Sequence, residues 1–471
     1  MSLLAFPNEI TLRIISYIHL STIVSFALTC KTLHQVSCAA LRRHASLKSQ
    51  YSVLCFGTDD YDANDIWKQR IGNQIHPLVF LDRLLESPIE LAYYPTELQL
   101  EPTHSRDPNN DEDEKPGVLK DEILRILNVR RSEISQLVLD CPFIASDHRE
   151  TWCILLSHVE RLSVDAFIGI IVSLLPNLQS ITILDVSYRI ERFRELVTAI
   201  AIANQDSTSE GHGKALTNLT ECAVDRTDTE MGEDFTLYAP FAALPAMRSL
   251  HGNMIDGEDF TYLGEPWDAK SRIEEIKIGN SAISSSAFTS LLERIESLER
   301  FTYHHAGSIV GSGRYEVTGM MNALREHASH SLQQLDLTAD QDSLVGDDED
   351  EQWIGSLKCF QKLRVIRVDD NVFQKPIPES QFDGALDEGF CHEEIARVVD
   401  VLPASVRVLK LAPEMKSEHA KKLWNGFVEE REEKLPELRK IVWEGRCPLG
   451  MATREQFKDL GIVLKNSQQN L

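Results

Sequence analysis

Short apolar runs recur along most of the chain with a constant order of apolar and polar positions. In each run, apolar residues occupy relative positions 1, 4 and 6, and more polar residues stand between them. The alternation around positions 4 and 6 is typical of a strand with one buried face. Eleven such runs occur, and their first residues are Ile134, Val159, Leu178, Leu219, Met247, Ile273, Leu298, Leu332, Leu363, Val406 and Leu438.

Segments with helical periodicity lie between these strands. Several of them end in Leu-Pro directly before the next strand, as at Leu402-Pro403, because proline cannot continue a helix. A helix from His76 to Leu85 and a strand at Leu98–Leu100 come earlier. The later predicted helices are Phe167–Leu175, Arg192–Ala203, Ala287–Ile295, Val317–Ala328, Glu393–Leu402 and Glu418–Lys434. This alternation predicts an α/β fold in which strand–helix pairs stack to bury their apolar faces.

The first 44 residues follow a different, purely helical pattern. Pro7 suits the first turn of a helix, and an isoleucine stripe follows it at helical spacing. Ser21 or Thr22 is expected to cap a second helix, and Thr29 a third. The stripe consists of Ile10, Ile14, Ile15 and Ile18. We therefore expect three short helices, which at this size need a neighbouring domain or a partner to complete their core.

The order of residues in these helices resembles an F-box over residues 3–44. The matching runs are Phe6-Pro7-x-Glu9-Ile10-x-x-x-Ile14-Ile15-x-Tyr17-Ile18 and Ile23-x-x-Phe26-x-Leu28-Thr29-Cys30-Lys31-x-Leu33. The resemblance implies docking to a Skp-family adaptor and, through it, to a cullin ligase. By the matched motif, the docking residues would be Phe6, Pro7, Ile10, Ile14, Ile18, Ile23, Leu28 and Lys31. Phe6 and Leu33 depart from the usual Leu and Trp, so the fit should be weakest there. The alternative is an ordinary helical cap on a repeat domain.

The strand–helix alternation after residue 77 resembles a degenerate leucine-rich repeat of the kind found in fungal-type F-box proteins. The resemblance implies an irregular solenoid with parallel strands on the concave face and helices on the convex face. The predicted organisation is an F-box domain at 1–48, a connector at 49–76 and a repeat domain at 77–471. An acidic, proline-containing insertion at 101–117 is expected to be disordered. The alternative is an α/β domain built on one parallel sheet.

Charge is distributed unevenly along the chain. The net charge is −25 over 471 residues, whereas the first 50 residues contain five Lys or Arg and one Glu. This balance argues against nucleic acid as the main partner. It favours an acidic adaptor at the head and a basic target at the body, or it serves only to keep a large protein soluble.

The nine cysteines are dispersed and form no Cys-x-x-Cys pair, which is typical of reduced thiols in the cytoplasm or nucleus. No signal peptide and no membrane-spanning run are apparent. No metal, cofactor or catalytic site is expected. The glycines at 307–313 lack a P-loop ending, and the pairs His304-His305 and His327-x-x-His330 lack further ligands.

Position 7 of the predicted strands is rich in acidic residues and holds no Lys or Arg. Because side chains alternate along a strand, these residues should face the concave side. The predicted partner-binding residues are Asp140, Asp165, Asp225, His304, Asp369 and Glu444. The alternative is that Asp simply favours the turns that end strands.

The sequence thus predicts a non-catalytic substrate-recognition subunit of an SCF-type ubiquitin ligase. Its head would recruit the adaptor, and its repeat domain would hold an unknown, basic target protein. One alternative is an F-box scaffold that works outside ubiquitin transfer. Another is a plain leucine-rich-repeat interaction protein.

Overall fold

The computed structural model describes most of the chain. The described residues are 7–18, 20–57, 75–101, 117–158, 162–185, 190–205, 214–226, 232–260, 270–306, 314–340, 352–375, 394–412, 417–444 and 448–466. Three predictions lie outside them: the docking role of Phe6, residues 102–116 of the insertion at 101–117, and the glycines at 307–313.

The chain divides into two compact units. One comprises Met1–Cys222 with Leu244–Ala246, and the other comprises Ala223–Ala243 with Met247–Leu471. Each is a mixture of helices and parallel strands, which confirms the α/β class. None of the described helices combines the length and the hydropathy that crossing a bilayer requires.

The first unit begins with three helices, as the periodicity predicted. They are α1 (Asn8–Tyr17), α2 (Leu20–Ala27) and α3 (Lys31–Tyr51). Helix α3 is not short, since it runs for 21 residues. Its cap is Cys30, whose Sγ accepts the Leu33 N–H, and the prediction of Thr29 as the cap is wrong.

The remainder of the first unit is a parallel sheet with helices against it. Strand β1 pairs with β2, and β2 pairs with β3, all parallel. Strand β1, which directly follows α3, was not predicted from the sequence. The elements are β1 (Val53–Gly57), α4 (Pro77–Glu86), α5 (Pro88–Leu91), β2 (Glu97–Glu101), α6 (Gly117–Asp140), α7 (Arg149–Ser157), α8 (Val164–Ser173), β3 (Ser180–Leu184) and α9 (Glu191–Gln205).

Strand β4 (Glu221–Asp225) contains the boundary between the units, and the second unit follows it. Its elements begin with β5 (Glu233–Asp234), α10 (Ala239–Ala242), β6 (Ser249–Asn253), β7 (Ile255–Gly257), β8 (Glu275–Ile283), α11 (Ser285–Leu292), β9 (Arg300–His305), α12 (Val317–Ala328), β10 (Gln334–Ala339) and β11 (Val365–Asp369). They continue with β12 (Gln374–Lys375), β13 (Glu394–Ile395), α13 (Val398–Val401), β14 (Val408–Ala412), α14 (Ser417–Leu423), α15 (Phe427–Lys434), β15 (Lys440–Trp443), α16 (Met451–Asp459) and β16 (Val463–Asn466).

The main sheet of the second unit follows the order of the chain. Strands β6, β8, β9, β10, β11, β14, β15 and β16 pair in that order, each parallel to the next. The apolar residues at positions 4 and 6 point into the core. In β11, for example, Ile366 and Val368 are buried, whereas Val365 and Arg367 are half-buried. Nine of the eleven predicted strands are confirmed.

Two of the predicted strands are wrong. Ile134 and Leu137 lie inside α6, and Val164 begins α8. In α6 the buried residues are Ile134 and Val138, four residues apart, whereas Leu139 is exposed, so the buried positions follow helical spacing and not the predicted positions 1, 4 and 6. The predicted helix at Glu393–Leu402 is shorter, because Glu394–Ile395 pair with β12. The predicted helix at Glu418–Lys434 is broken at Gly426, whose φ of 71° is left-handed.

Candidate functional site

The inner side of the three head helices forms a small core. Thr11 and Ile15 of α1, Ile23 and Ala27 of α2, and Leu33 of α3 are all buried. Thr11 takes the inward position next to Ile15, and its hydroxyl donates to the Pro7 carbonyl oxygen at 3.3 Å. The predicted stripe is therefore rotated, so that Ile10 points outward while Ile14 and Ile18 are half-buried.

The outer side of the same helices exposes large apolar side chains. Tyr17 is 79% exposed and Leu28 is 73% exposed. Five of the eleven exposed large apolar residues of the described chain lie between the start of α1 and the residue that follows α2: Ile10, Leu12, Tyr17, Val24 and Leu28. Such a concentration on one small element is typical of a surface that a partner covers.

A surface pocket of about 410 Å³ lies where α2 ends and α3 begins. It is lined by Ala27, Leu28, Cys30, Lys31, His34 and Gln35. The pocket brings together two predicted docking residues, Leu28 and Lys31. His34 and Gln35 were not predicted from the sequence, although their position one turn after Lys31 places them on the same face of α3.

Helix α3 connects this surface to the sheet of the first unit. Arg43 Nη2 lies 2.6 Å from Glu90 Oε2, and the His44 ring lies 3.1 Å from the Tyr94 hydroxyl. Arg83 donates to the Tyr51 hydroxyl at 3.3 Å near the end of the helix. These contacts fix the C-terminal half of α3 to the helices α4 and α5 and to Tyr94. The N-terminal half of α3, which lines the pocket, continues from this fixed part.

The predicted docking residues therefore occupy three kinds of position. Pro7, Ile10, Leu28 and Lys31 are exposed and available to a partner. Ile14 and Ile18 are half-buried. Ile23 is buried in the head and supports the surface from inside.

Two of the predicted carboxylates of the repeat domain lie in helices. Asp140 is the last residue of α6, is exposed, and accepts from Gln136 Nε2 at 2.8 Å. Asp165 lies in the first turn of α8 and is only 4% exposed. Its carboxylate accepts from the Ser163 hydroxyl and, at 2.7 Å, from the backbone N–H of Arg192. Asp165 therefore caps α9 from a neighbouring helix, and the prediction of a strand position is wrong for both residues.

Three other predicted residues lie at the ends of strands in the second unit. Asp225 accepts from Asn253 Nδ2 at 2.8 Å. His304 Nε2 lies 3.7 Å from Asp340 Oδ1. Glu444 receives two hydrogen bonds of 2.7 Å from the guanidinium of Arg367, which holds the pKa of Glu444 below its usual range. Each of these side chains is already engaged within the protein.

Asp369, the sixth predicted residue, is 1% exposed and belongs to a buried polar cluster. It accepts the backbone N–H of Ala339 at 2.8 Å, and burial raises its pKa to about 7. His305 stacks on Tyr315, and Tyr303 lies 3.0 Å from His305 Nδ1. Burial lowers the pKa of His305 to about 4, so its imidazole is neutral at pH 7. The cluster has no exposed face for a partner.

The described residues contain no group of three or more His, Cys, Asp or Glu that is arranged to hold a metal ion. His330 lies 3.1 Å from the Glu296 carbonyl oxygen. The seven described cysteines form no disulfide. Burial raises the pKa of the Cys222 thiol, so it carries no nucleophilic thiolate at neutral pH.

No protein-family model matches this chain, and no curated protein matches it either.

Proposed function

We propose that this protein is a substrate-recognition subunit of an SCF-type ubiquitin ligase. Helices α1–α3 dock to a Skp-family adaptor, which links the chain to a cullin. The parallel-strand body, an irregular leucine-rich-repeat solenoid, holds the target protein. The protein raises the local concentration of target lysines near the charged ubiquitin carrier and performs no catalysis itself. It acts in the cytoplasm, the nucleus or both.

The observation that supports this proposal most directly is the outward apolar surface of the head. Two of its five exposed large apolar side chains, Ile10 and Leu28, lie at positions that the F-box resemblance assigns to the adaptor. Basic residues flank this surface, including Lys31 at the start of α3 and Arg13 on α1. An apolar patch with a basic margin fits an acidic partner that offers its own apolar side chains.

Co-expression with a Skp-family adaptor tests the proposal. The two chains are expected to co-elute from a gel-filtration column as a one-to-one complex. Addition of cullin, its ring partner and a charged ubiquitin carrier should then transfer ubiquitin to a bound target. Adaptor binding without ubiquitin transfer would favour a scaffold outside ubiquitin transfer, and absence of adaptor binding would favour a plain repeat protein.

Replacing Leu28 by Asp should weaken adaptor binding by about 30-fold, the loss of one hot-spot side chain of about 2 kcal/mol. Because Leu28 is 73% exposed, the fold should be unaffected. Met451→Asp is the matched control, since Met451 is 82% exposed but lies on α16. Isothermal titration calorimetry measures the affinity. Equal affinities for Leu28→Asp and the wild type would contradict the assignment of this surface.

A further inference from the structure

The charge on the sheet of the second unit changes sign along the strand order. The residues at position 2 of each strand unit form a continuous ladder, in which each backbone N–H donates to the carbonyl oxygen of the previous residue at 2.8–3.0 Å. In sheet order the ladder reads Arg248, Glu274, Glu299, Gln333, Arg364, Arg407 and Arg439. Its last three members are therefore adjacent, exposed arginines.

The strands next to these arginines extend the basic region. At position 3, the paired residues across β11, β14, β15 and β16 are Val365, Val408, Lys440 and Val463. At position 5, they are Arg367, Lys410, Val442 and Lys465. We call these eight residues the Val–Lys face. Neither row contains an acidic residue over these four strands, in a chain whose net charge is −25.

The nearby carboxylates cancel only part of this charge. Arg367 is paired with both Glu444 and Asp336, and Glu437 lies 3.4 Å from Arg407. Within the described chain, Arg364 and Arg439 form no ion pair, and Lys410 interacts with Asp336 and Glu444 only at longer range. Cations therefore remain available to a partner both at the edge of these strands and on the Val–Lys face.

We propose that the Val–Lys face and the arginines at its edge bind an extended, acidic segment of a target protein. Neighbouring strands lie about 4.8 Å apart, so four strands span about 14 Å, the length of roughly four extended residues. Asp and Glu side chains of such a segment would meet the arginines and lysines, and aliphatic side chains would cover the valines. Val463 on the last strand is the most exposed valine of this face.

The composition of the face favours a protein segment over a nucleic acid. Single strands of nucleic acid bind to platforms that combine positive charge with aromatic side chains on which bases stack. The eight positions of the Val–Lys face hold no aromatic residue. Three valines that are half-buried or exposed, Val365, Val408 and Val463, instead fit the aliphatic side chains of a peptide, whereas Val442 is buried. This inference rests on the proposed function, because it names the class of target that the receptor would select.

Selection from a phage-displayed random dodecapeptide library against the full chain tests the proposal. The selected peptides should be enriched in Asp and Glu. A fluorescein-labelled copy of the leading peptide should bind more weakly as salt rises from about 0.05 to about 0.5 M, since screening shortens the range of the charges. Failure to select peptides, or selected peptides without acidic enrichment, would overturn the proposal.

Two double variants locate the binding site. Arg364→Glu with Arg439→Glu should weaken binding of the labelled peptide by about tenfold, because two attractive charges become repulsive. Arg272→Glu with Lys277→Glu makes the same change in net charge at exposed positions near β8 and should leave binding unchanged. Equal losses in both variants, or tighter binding of a single-stranded oligonucleotide than of the peptide, would contradict the proposed site. If the proposed function is wrong, the wild-type chain will not bind the adaptor. That result is independent of the peptide-binding measurements.

Discussion

Replacing Asp165 by Lys is expected to destabilise the first unit by about 3–5 kcal/mol, the range for leaving an unpaired charge in a buried site. Asp165 is 4% exposed, and its carboxylate accepts from both the Ser163 hydroxyl and the Arg192 N–H. The Ser163 hydroxyl and the Arg192 N–H that face this position are hydrogen-bond donors. A lysine ammonium is also a donor and cannot accept a hydrogen bond from either group. The N-terminus of α9 would lose its cap, and an ammonium group would remain without an acceptor.

Thermal unfolding and hydrogen–deuterium exchange measure this effect. The amides of α9 should exchange faster in Asp165→Lys than in the wild type. Asp140→Lys is the matched control, because Asp140 is exposed and accepts only from Gln136, so its stability should change by less than about 0.5 kcal/mol. Unchanged protection of α9 in Asp165→Lys would contradict the capping role.

The burial of Asp165 restricts how the predicted acidic positions can be tested for partner binding. Reversing Asp140, Asp165 and Asp225 together would remove partner binding through loss of folding, whatever the partner contacts. A binding test must therefore use exposed positions only. Arg364, Arg439 and Leu28 meet that requirement.

The second large effect concerns the pH dependence of Asp369. Its pKa is about 7 in the folded protein and 3.8 in the unfolded chain, chiefly because burial disfavours the charged carboxylate. The folded state therefore binds this proton more tightly than the unfolded state does. The contribution is fully present below about pH 4 and is lost as the pH rises through about 7, a change of about 4 kcal/mol at about 1.4 kcal/mol per unit of pKa.

Asp369→Asn should remove this dependence, because an amide keeps an acceptor for the Ala339 N–H and does not ionise. The melting temperature of the variant should rise relative to that of the wild type between about pH 5 and pH 8. Asp340→Asn serves as the control, since Asp340 is exposed. Parallel melting curves for Asp369→Asn and the wild type across this range would contradict the prediction.

His305 contributes with the opposite sign. Its pKa is lowered to about 4 from 6.5, again chiefly by burial. The folded state therefore holds the neutral imidazole, and the stability that this provides is present above about pH 6.5 and is lost as the pH falls toward 4. Both contributions change between about pH 4 and pH 7 with opposite signs and partly cancel in the wild type, so Asp369→Asn separates them by removing the carboxyl group and leaving the His305 contribution.

Much of the fold was predictable from local pattern. The runs beginning at Leu332 and Leu363 predicted β10 and β11, because alternate burial along a strand leaves a period of two in the sequence. The helix at Val317–Ala328 was predicted with the observed bounds. The run at Ile134 was predicted wrongly because Val138, which the strand pattern does not count, is buried four residues after Ile134 in the 24-residue α6, while Leu139 is exposed.

The sequence by itself determined the α/β class, the three head helices and most strands, since these depend on neighbouring residues along the chain. Only the tertiary structure decided which charged residues are available. In the sequence, Asp165 and Asp369 cannot be distinguished from exposed aspartates. Packing in the folded protein buries both. Arg364, Arg407 and Arg439 lie dozens of residues apart, and parallel pairing places them side by side. Burial and cross-strand neighbours are properties of the assembled sheet, and for that reason the sequence alone did not reveal that Asp165 and Asp369 are buried or that the three arginines are adjacent.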